Sequence, residues 1–203
     1  MRTGIYGGSF NPVHLGHRRL ADFMCRTLQL DRCLIIPAYV SPFKVNKTAA
    51  VDPVHRLQMC RLAFDAPQYE VSDIEISAHS TSYTVQTLEK LKEQYPDDTF
   101  FLIIGSDMLL SFDKWHRWQD ILKLCTLCAV SRCEDDPLQE LTDFAESVLQ
   151  REGNVGIFPF KPLEISSTVV REKIAADAPT DAFLHPAVAQ YIRDHNLYIE
   201  GTQ

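Results

Sequence analysis

A doubly wound α/β fold, with a parallel sheet and helices on both of its faces, is what this 203-residue sequence predicts. Three observations predict it. From Arg2 onward, apolar runs rich in β-branched and aromatic residues alternate with longer stretches of helical periodicity. Consecutive strand-like runs are separated by helix-length segments, which parallel strands joined by crossover helices require. Apolar residues make up 45% of the chain, enough for one well-buried core at the usual size of one domain, so residues 1–203 are expected to form a single domain.

Taken in order, the first strand covers Thr3–Tyr6 and leads into a helix over His14–Leu28. The run CLIIP places a second strand at Cys33–Pro37. The stretch Tyr39–Asp52, YVSPFKVNKTAAVD, has no periodicity and contains proline, asparagine and two lysines. It reads as a long mobile loop, and loops of that length are usually functional or disordered. A helix fits Pro53–Phe64, and a strand fits Tyr69–Ser72 and runs on towards Ile76. In the helix Thr84–Gln94, Leu88, Leu91 and Tyr95 recur at three and four, as one core-facing stripe requires. Then come a strand at Phe100–Ile104, a split helical region from Met108 to Leu124, a strand at Leu127–Val130, a helix over Pro137–Arg151 and a strand at Gly156–Phe158. Helices over Thr168–Ala176 and Pro186–His195 make a helical C-terminal segment. No repeat, low-complexity tract or Gly/Ser linker interrupts the pattern.

Composition narrows the function classes. A formal charge of -7 argues against a protein that grips nucleic acid or an anionic membrane through its overall field, so an anionic ligand must be held by local charge. The N-terminus lacks the apolar stretch of a secretory signal, and no run approaches the roughly 18 residues that span a bilayer. A cytoplasmic protein with no membrane partner is expected. The six cysteines, Cys25, Cys33, Cys60, Cys125, Cys128 and Cys133, are too sparse for a disulfide scaffold and read as reduced, buried thiols. Cys125 and Cys128 form CTLC, but no second pair at ligand spacing follows, and TLCAVS reads as a strand.

The stretch that carries chemistry is GGSFNPVHLGH, Gly7 to His17. It lies where the first strand meets its helix, at the carboxyl end of the sheet where such folds bind ligands. Gly7 and Gly8 allow close approaches that a Cβ forbids, so their amides can face phosphate oxygens at a helix N-terminus. Pro12 suits a chain entering a helix. His14 and His17, three apart, share one face of the first helical turns. Gly16 between them costs about 1 kcal/mol of helix propensity relative to alanine, which makes sense if something flat or bulky packs against that turn. The patterns GxxxxGK[ST], GxGxxG and HExxH are all absent.

These residues resemble the G-[ST]-F-x-P-x-H-x-G-H signature of the HxGH nucleotidyltransferase superfamily. ISSTVVRE, Ile165 to Glu172, is similar to the ISST-x-x-R element of the same superfamily, in the same order along the chain. SPFK (Ser41–Lys44), SYTVQTL (Ser82–Leu88) and FLIIGSDMLLSFDKW (Phe101–Trp115) further resemble the nicotinate-nucleotide adenylyltransferase family. The pantetheine-phosphate branch shares the end signatures but lacks the SYT and DKW pair. The departures are mild: SPFK stands where many members have PPHK, and cysteine is more frequent than usual.

The resemblance implies a Rossmann-like fold and transfer of AMP from ATP to nicotinate mononucleotide, giving deamido-NAD and pyrophosphate. It implies that His14, His17 and Arg171 carry catalysis at the phosphates. Gly8, Ser9, Phe10, Gly16, Gly105, Asp107, Ser167 and Thr168 would bind ATP, and Lys44, Thr84, Trp115 and His116 would bind nicotinate mononucleotide. Trp115 would stack on the pyridine ring, and backbone amides near Thr84 and His116 would take its carboxylate. Mg2+ is expected as an ion bound to substrate rather than in a protein cage. Plainer readings stand beside these: helix caps for Asp107, Ser167 and Thr168, a solvated loop charge for Lys44, and packing for Trp118. A sister acceptor specificity, or a nucleotide sensor without turnover, is the competing function. Oligomeric state, a homo-oligomer included, leaves no mark in the sequence.

Overall fold

The computed structural model describes residues 1–40, 51–132, 138–161 and 163–199, so Lys44 and Cys133 lie outside the described residues. Six strands form one parallel sheet: β1 (Arg2–Gly8), β2 (Arg32–Pro37), β3 (Tyr69–Val71), β4 (Thr99–Gly105), β5 (Thr126–Arg132) and β6 (Val155–Phe160). Their order is β3-β2-β1-β4-β5-β6, so the chain winds outward in both directions from the centre. Helices α1 (Leu15–Thr27), α2 (Pro53–Ala63), α3 (Thr84–Gln94), α4 (Ser106–Leu109), α5 (Trp118–Leu124), α6 (Leu138–Phe144), α7 (Ser167–Ala175) and α8 (Pro186–Asp194) make the connections and the C-terminal segment.

Period-two alternation sorts the strand side chains onto two cores. Tyr6, Cys33, Ile35, Phe101, Ile103, Cys128 and Val130 pack with Met24 of α1, Met59 and Cys60 of α2, Val170 of α7 and Val188 and Ile192 of α8. Ile5, Leu34, Ile36, Phe100, Leu102, Leu127 and Ala129 pack with Leu88 and Leu91 of α3, Ile121 of α5 and Leu141 of α6. Both faces of the central strands are therefore buried, which is why those strands read as unbroken apolar runs. The expected helices on both faces are present. Trp118 packs against the second core, and Cys25, Cys33, Cys60, Cys125 and Cys128 are free, buried thiols. No helix among the described residues is long and apolar enough to cross a membrane.

Three expectations about elements need correction. The third strand does not run on to Ile76: the Ser72 N–H still donates to Ile35 O of β2, and the chain then turns, with the Ser77 N–H on Asp73 O. Ile76 is buried without being paired as a strand. The region after β4 begins earlier than expected and breaks into α4, a 3-10 turn at Phe112–Lys114, and α5. The helix expected over Pro137–Arg151 is α6 followed by a π-wound turn, Ala145–Leu149, closed by the Gln150 N–H on Ala145 O.

Register opens the site. β1 pairs with β2 as far as Gly8↔Pro37, but with β4 only from Arg2↔Thr99 to Ile5↔Leu102. Beyond Ile5 the two central strands part, at the place where strand order reverses, and this leaves a crevice at the carboxyl edge of the sheet. The other edge is closed by charge. Asp98 accepts from the Thr3 hydroxyl at 2.6 Å, the Met1 amine at 3.1 Å and Arg32 at 2.9 Å, while the Arg32 guanidinium lies 3.8 Å from the Tyr95 ring centre.

Candidate active site

The β1–α1 loop forms one wall of the crevice. Phe10 has a φ of 45° and turns its ring into the core, edge-on to Tyr6, His17 and Phe64. A Cβ on Gly8 would lie 3.0 Å from that ring, so Gly8 is glycine because Phe10 folds over it. Pro12 follows a cis peptide bond and lies in the chain that leads into the helix, as expected, while Leu15 holds the first helical position. His14 is the N-cap, in extended backbone, and His17 is the third helical residue.

The two imidazoles stack with centres 3.7 Å apart at 27°. His17 Nδ1 accepts the His14 backbone N–H at 3.2 Å, which assigns the proton of a neutral His17 ring to Nε2. A Cβ on Gly16 would lie 3.0 Å from His14 Cε1 and Nδ1. The flat group expected to pack against this turn is thus His14's own ring. His14 is only 8% exposed, and that burial pulls its pKa from 6.5 down to about 4, so the stacked pair is not forced to hold a charge on His14 at neutral pH.

The ISSTVVR segment docks on this loop. Ser166 caps α7 by accepting the Val169 N–H, so the plain capping reading of Ser167 and Thr168 is overturned. Ser167 is left to donate its hydroxyl to Pro12 O at 3.0 Å. Arg171 donates to Asn11 O at 2.7 Å and to the Thr168 hydroxyl at 3.1 Å. Asn11 is a hub: its side-chain oxygen also accepts from the Tyr198 hydroxyl at 2.8 Å and from the Val51 N–H. His14, His17, Ser167 and Arg171 are therefore held about a single loop.

Across the crevice, Gly105 is the N-cap of α4 and Asp107 its second residue, so the capping reading of Asp107 also falls. The Asp107 carboxylate folds back over Gly105, where an added Cβ would meet Oδ1 at 2.5 Å. Its charge reaches Tyr6 of β1, whose phenol is pushed up mainly by burial and then by Cys33, Cys60 and Asp107. Further out, α3 starts at Thr84 behind Tyr83, with no side chain capping its N-terminus. Such an end offers backbone N–H groups to an anion. The Tyr83 ring packs against His116 at 4.8 Å, and the neighbouring Arg117 pairs with Glu89 of α3 at 2.8 Å. Trp115, half-buried, tilts against Phe112. Tyr83 and His116, the sequence neighbours of Thr84 and Trp115, are thereby brought together.

Sequence reasoning missed four residues that hold this arrangement: Asn11, Arg56, Ser166 and Tyr198. Arg56 left one trace, since it stands on a helix whose Leu57, Met59, Cys60 and Ala63 are all buried. Among the described residues, no three His, Cys, Asp or Glu side chains are grouped to hold a metal ion.

A family model described as Cytidylyltransferase-like matches residues 5–173 of this chain. A probable nicotinate-nucleotide adenylyltransferase of Shewanella frigidimarina is 34% identical, over 98% of this chain and 100% of the relative. One from Rhodopirellula baltica is 38% identical, over 96% of this chain and 92% of the relative. Among solved structures, the Plasmodium falciparum nicotinic acid mononucleotide adenylyltransferase complexed with NaAD superposes with a TM-score of 0.77 at 19% identity, covering 97% of both chains. That likeness is one of fold.

Proposed function

The chain belongs to the cytidylyltransferase-like family and is similar along nearly its whole length to nicotinate-nucleotide adenylyltransferases, and on that premise we propose how its crevice performs their reaction. It is a nucleotidyltransferase of NAD biosynthesis, moving AMP from ATP to nicotinate mononucleotide and yielding deamido-NAD and pyrophosphate. The observation that carries the assignment to this crevice is the docking of Ser167 and Arg171 on the loop that presents His14 and His17.

The acceptor needs little activation. A phosphate monoester with a second pKa near 6 is already largely dianionic at neutral pH, so no general base is required. The chain must instead align two anions that repel one another and place donors where charge develops. His17, with its Nε2 proton, donates to the α-phosphate, and His14 supports it as a neutral, stacked neighbour. Arg171 and the first amides of α7 attract the remaining phosphate charge while fixing the loop. The backbone of Gly8, Ser9 and Phe10 lies along the phosphates, and Gly105 and Asp107 meet the ATP ribose.

On the acceptor side, Trp115 supports the pyridine ring, and the backbone amides at Thr84 and His116 take the nicotinate carboxylate. Donor-only amides leave a carboxamide NH2 facing another donor, so acid is chosen over amide. Lys44 holds the acceptor phosphate. Mg2+ fits as an ion carried on ATP oxygens and water, where it would neutralise phosphate charge.

Labelled ATP offered with nicotinate mononucleotide, nicotinamide mononucleotide and a phosphopantetheine tests the reading. Rapid pyrophosphate release with the first and far slower release with the others is expected. Equal release with the pantetheine phosphate would move the chain to a sister branch. Tight ATP binding with no release on any acceptor would make it a nucleotide sensor.

A further inference from the structure

Arg56 of α2 is only 2% exposed, and among the described residues no carboxylate pairs with it. Among the described residues, all of its hydrogen bonds go to backbone carbonyls: Nε to Val51 O at 3.0 Å, Nη1 to Ser9 O at 2.8 Å and Nη2 to Tyr39 O at 3.0 Å. Burying a guanidinium without a close ion pair is costly, and the nearby Asp52 charge offsets only part of that cost, so three well-placed acceptors are what make it tolerable. The identity of those acceptors is informative. Ser9 belongs to the β1–α1 loop that meets ATP. Tyr39 follows β2, and its own N–H donates to the Ser82 hydroxyl at 3.1 Å while the Ser82 N–H returns to Val40 O, two residues before Thr84 opens α3. A planar fork therefore joins the two halves of the crevice: one arm on the ATP loop, one on the strand end stitched to the acceptor helix.

We propose that Arg56 is a positioning residue that sets the spacing between the ATP half and the acceptor half of the site, without touching either substrate. The inference rests on the functional reading above. A lysine at this position keeps a positive charge and a similar stem but gathers its three donors on one nitrogen, so it cannot match carbonyls that are set around three separate guanidinium nitrogens. Losing the fork leaves each half intact and lets the two drift. A ligand that occupies one half senses little, and one that spans both loses the benefit of a fixed separation.

Calorimetry with R56K, at a temperature where circular dichroism shows it folded, reads this directly. ATP and nicotinate mononucleotide are each expected to bind within about threefold of the wild type, while deamido-NAD, which spans both halves, weakens by about 30-fold or more. Turnover should fall by a similar or larger factor with little change in either KM. Deamido-NAD weakening by no more than the product of the two single-ligand changes overturns the inference, because a merely structural arginine gives that result. Ser82→Ala, a milder cut in the same relay, should show the same signature at about 3–10-fold and decides the matter if R56K does not fold; an S82A protein with wild-type dinucleotide affinity counts against the inference. A wild-type chain that binds neither mononucleotide refutes the functional reading, and the inference with it, whereas an R56K protein indistinguishable from the wild type refutes the inference alone.

Discussion

At the scale of single residues, His14 shows how packing decides protonation. Its ring lies between His17 and the bare Cα of Gly16, and burial lowers its pKa from 6.5 to about 4. The unfolded chain therefore takes up a proton as pH falls through 6.5, and the folded protein resists until about 4. A depressed pKa of this kind contributes stability that is present above 6.5 and is lost between 6.5 and 4, with an upper magnitude of roughly 3 kcal/mol. His14→Gln, which keeps a planar polar group but does not titrate, should escape that loss. Urea unfolding of both proteins at pH 7 and pH 4.5 is the check: the wild type is expected to lose about 2 kcal/mol more than H14Q between the two conditions. Equal losses would mean that the imidazole is open to solvent protons in the folded state.

At the scale of elements, ISSTVVR shows what a sequence discloses and what it withholds. Three hydroxyl residues stand in a row before a helix, and any of them could cap it. The choice depends on the loop facing them: Ser167 is drawn to Pro12 O, Thr168 accepts from Arg171, and the cap falls to Ser166. Ser166→Ala should therefore cost about 1 kcal/mol in thermal unfolding with turnover nearly unchanged, whereas Ser167→Ala should cost less stability and raise the KM for ATP. A rise in the KM for ATP in S166A matching that of S167A would show that the two hydroxyls are not divided in this way. The same logic marks the limit of legibility elsewhere. The strands and the central helices could be read because both faces of the sheet are buried and the periodicity survives. The end of β3 could not, since Ile76 is buried in a turn and leaves the same apolar mark as a paired strand residue. The histidine pair was visible as local spacing, and Arg171 through the resemblance that ISSTVVR carries. Arg56 was not, because its partners at residues 9, 39 and 51 meet only once the sheet has formed.

At the scale of the whole molecule, the two edges of the sheet are built for different tasks. The carboxyl edge is left open where β1 and β4 part, and its groups are held by loops that dock late in the sequence. The amino edge is closed by Asp98, which Thr3, the Met1 amine and Arg32 all reach. Burial pushes the Asp98 carboxyl up, but those hydrogen bonds outweigh it and hold the pKa at about 2, below the ordinary 3.8. A carboxylate depressed in the folded state contributes stability that is present above 3.8 and disappears as pH falls towards 2. Acid unfolding should then draw on two separate sources, His14 above pH 4 and Asp98 below it, at opposite edges of one sheet. Asp98→Asn isolates the second: it should lower stability by about 2 kcal/mol at pH 7, and the deficit should close as both proteins are taken from pH 4 to pH 2. Because the substituted group lies at the edge away from the crevice, adenylyl transfer by folded D98N at 25 °C should match the wild type in kcat and in both KM values. A kcat that falls while the protein remains folded would mean that the closed edge sets the geometry of the open one, and the division of labour between the two edges would be wrong.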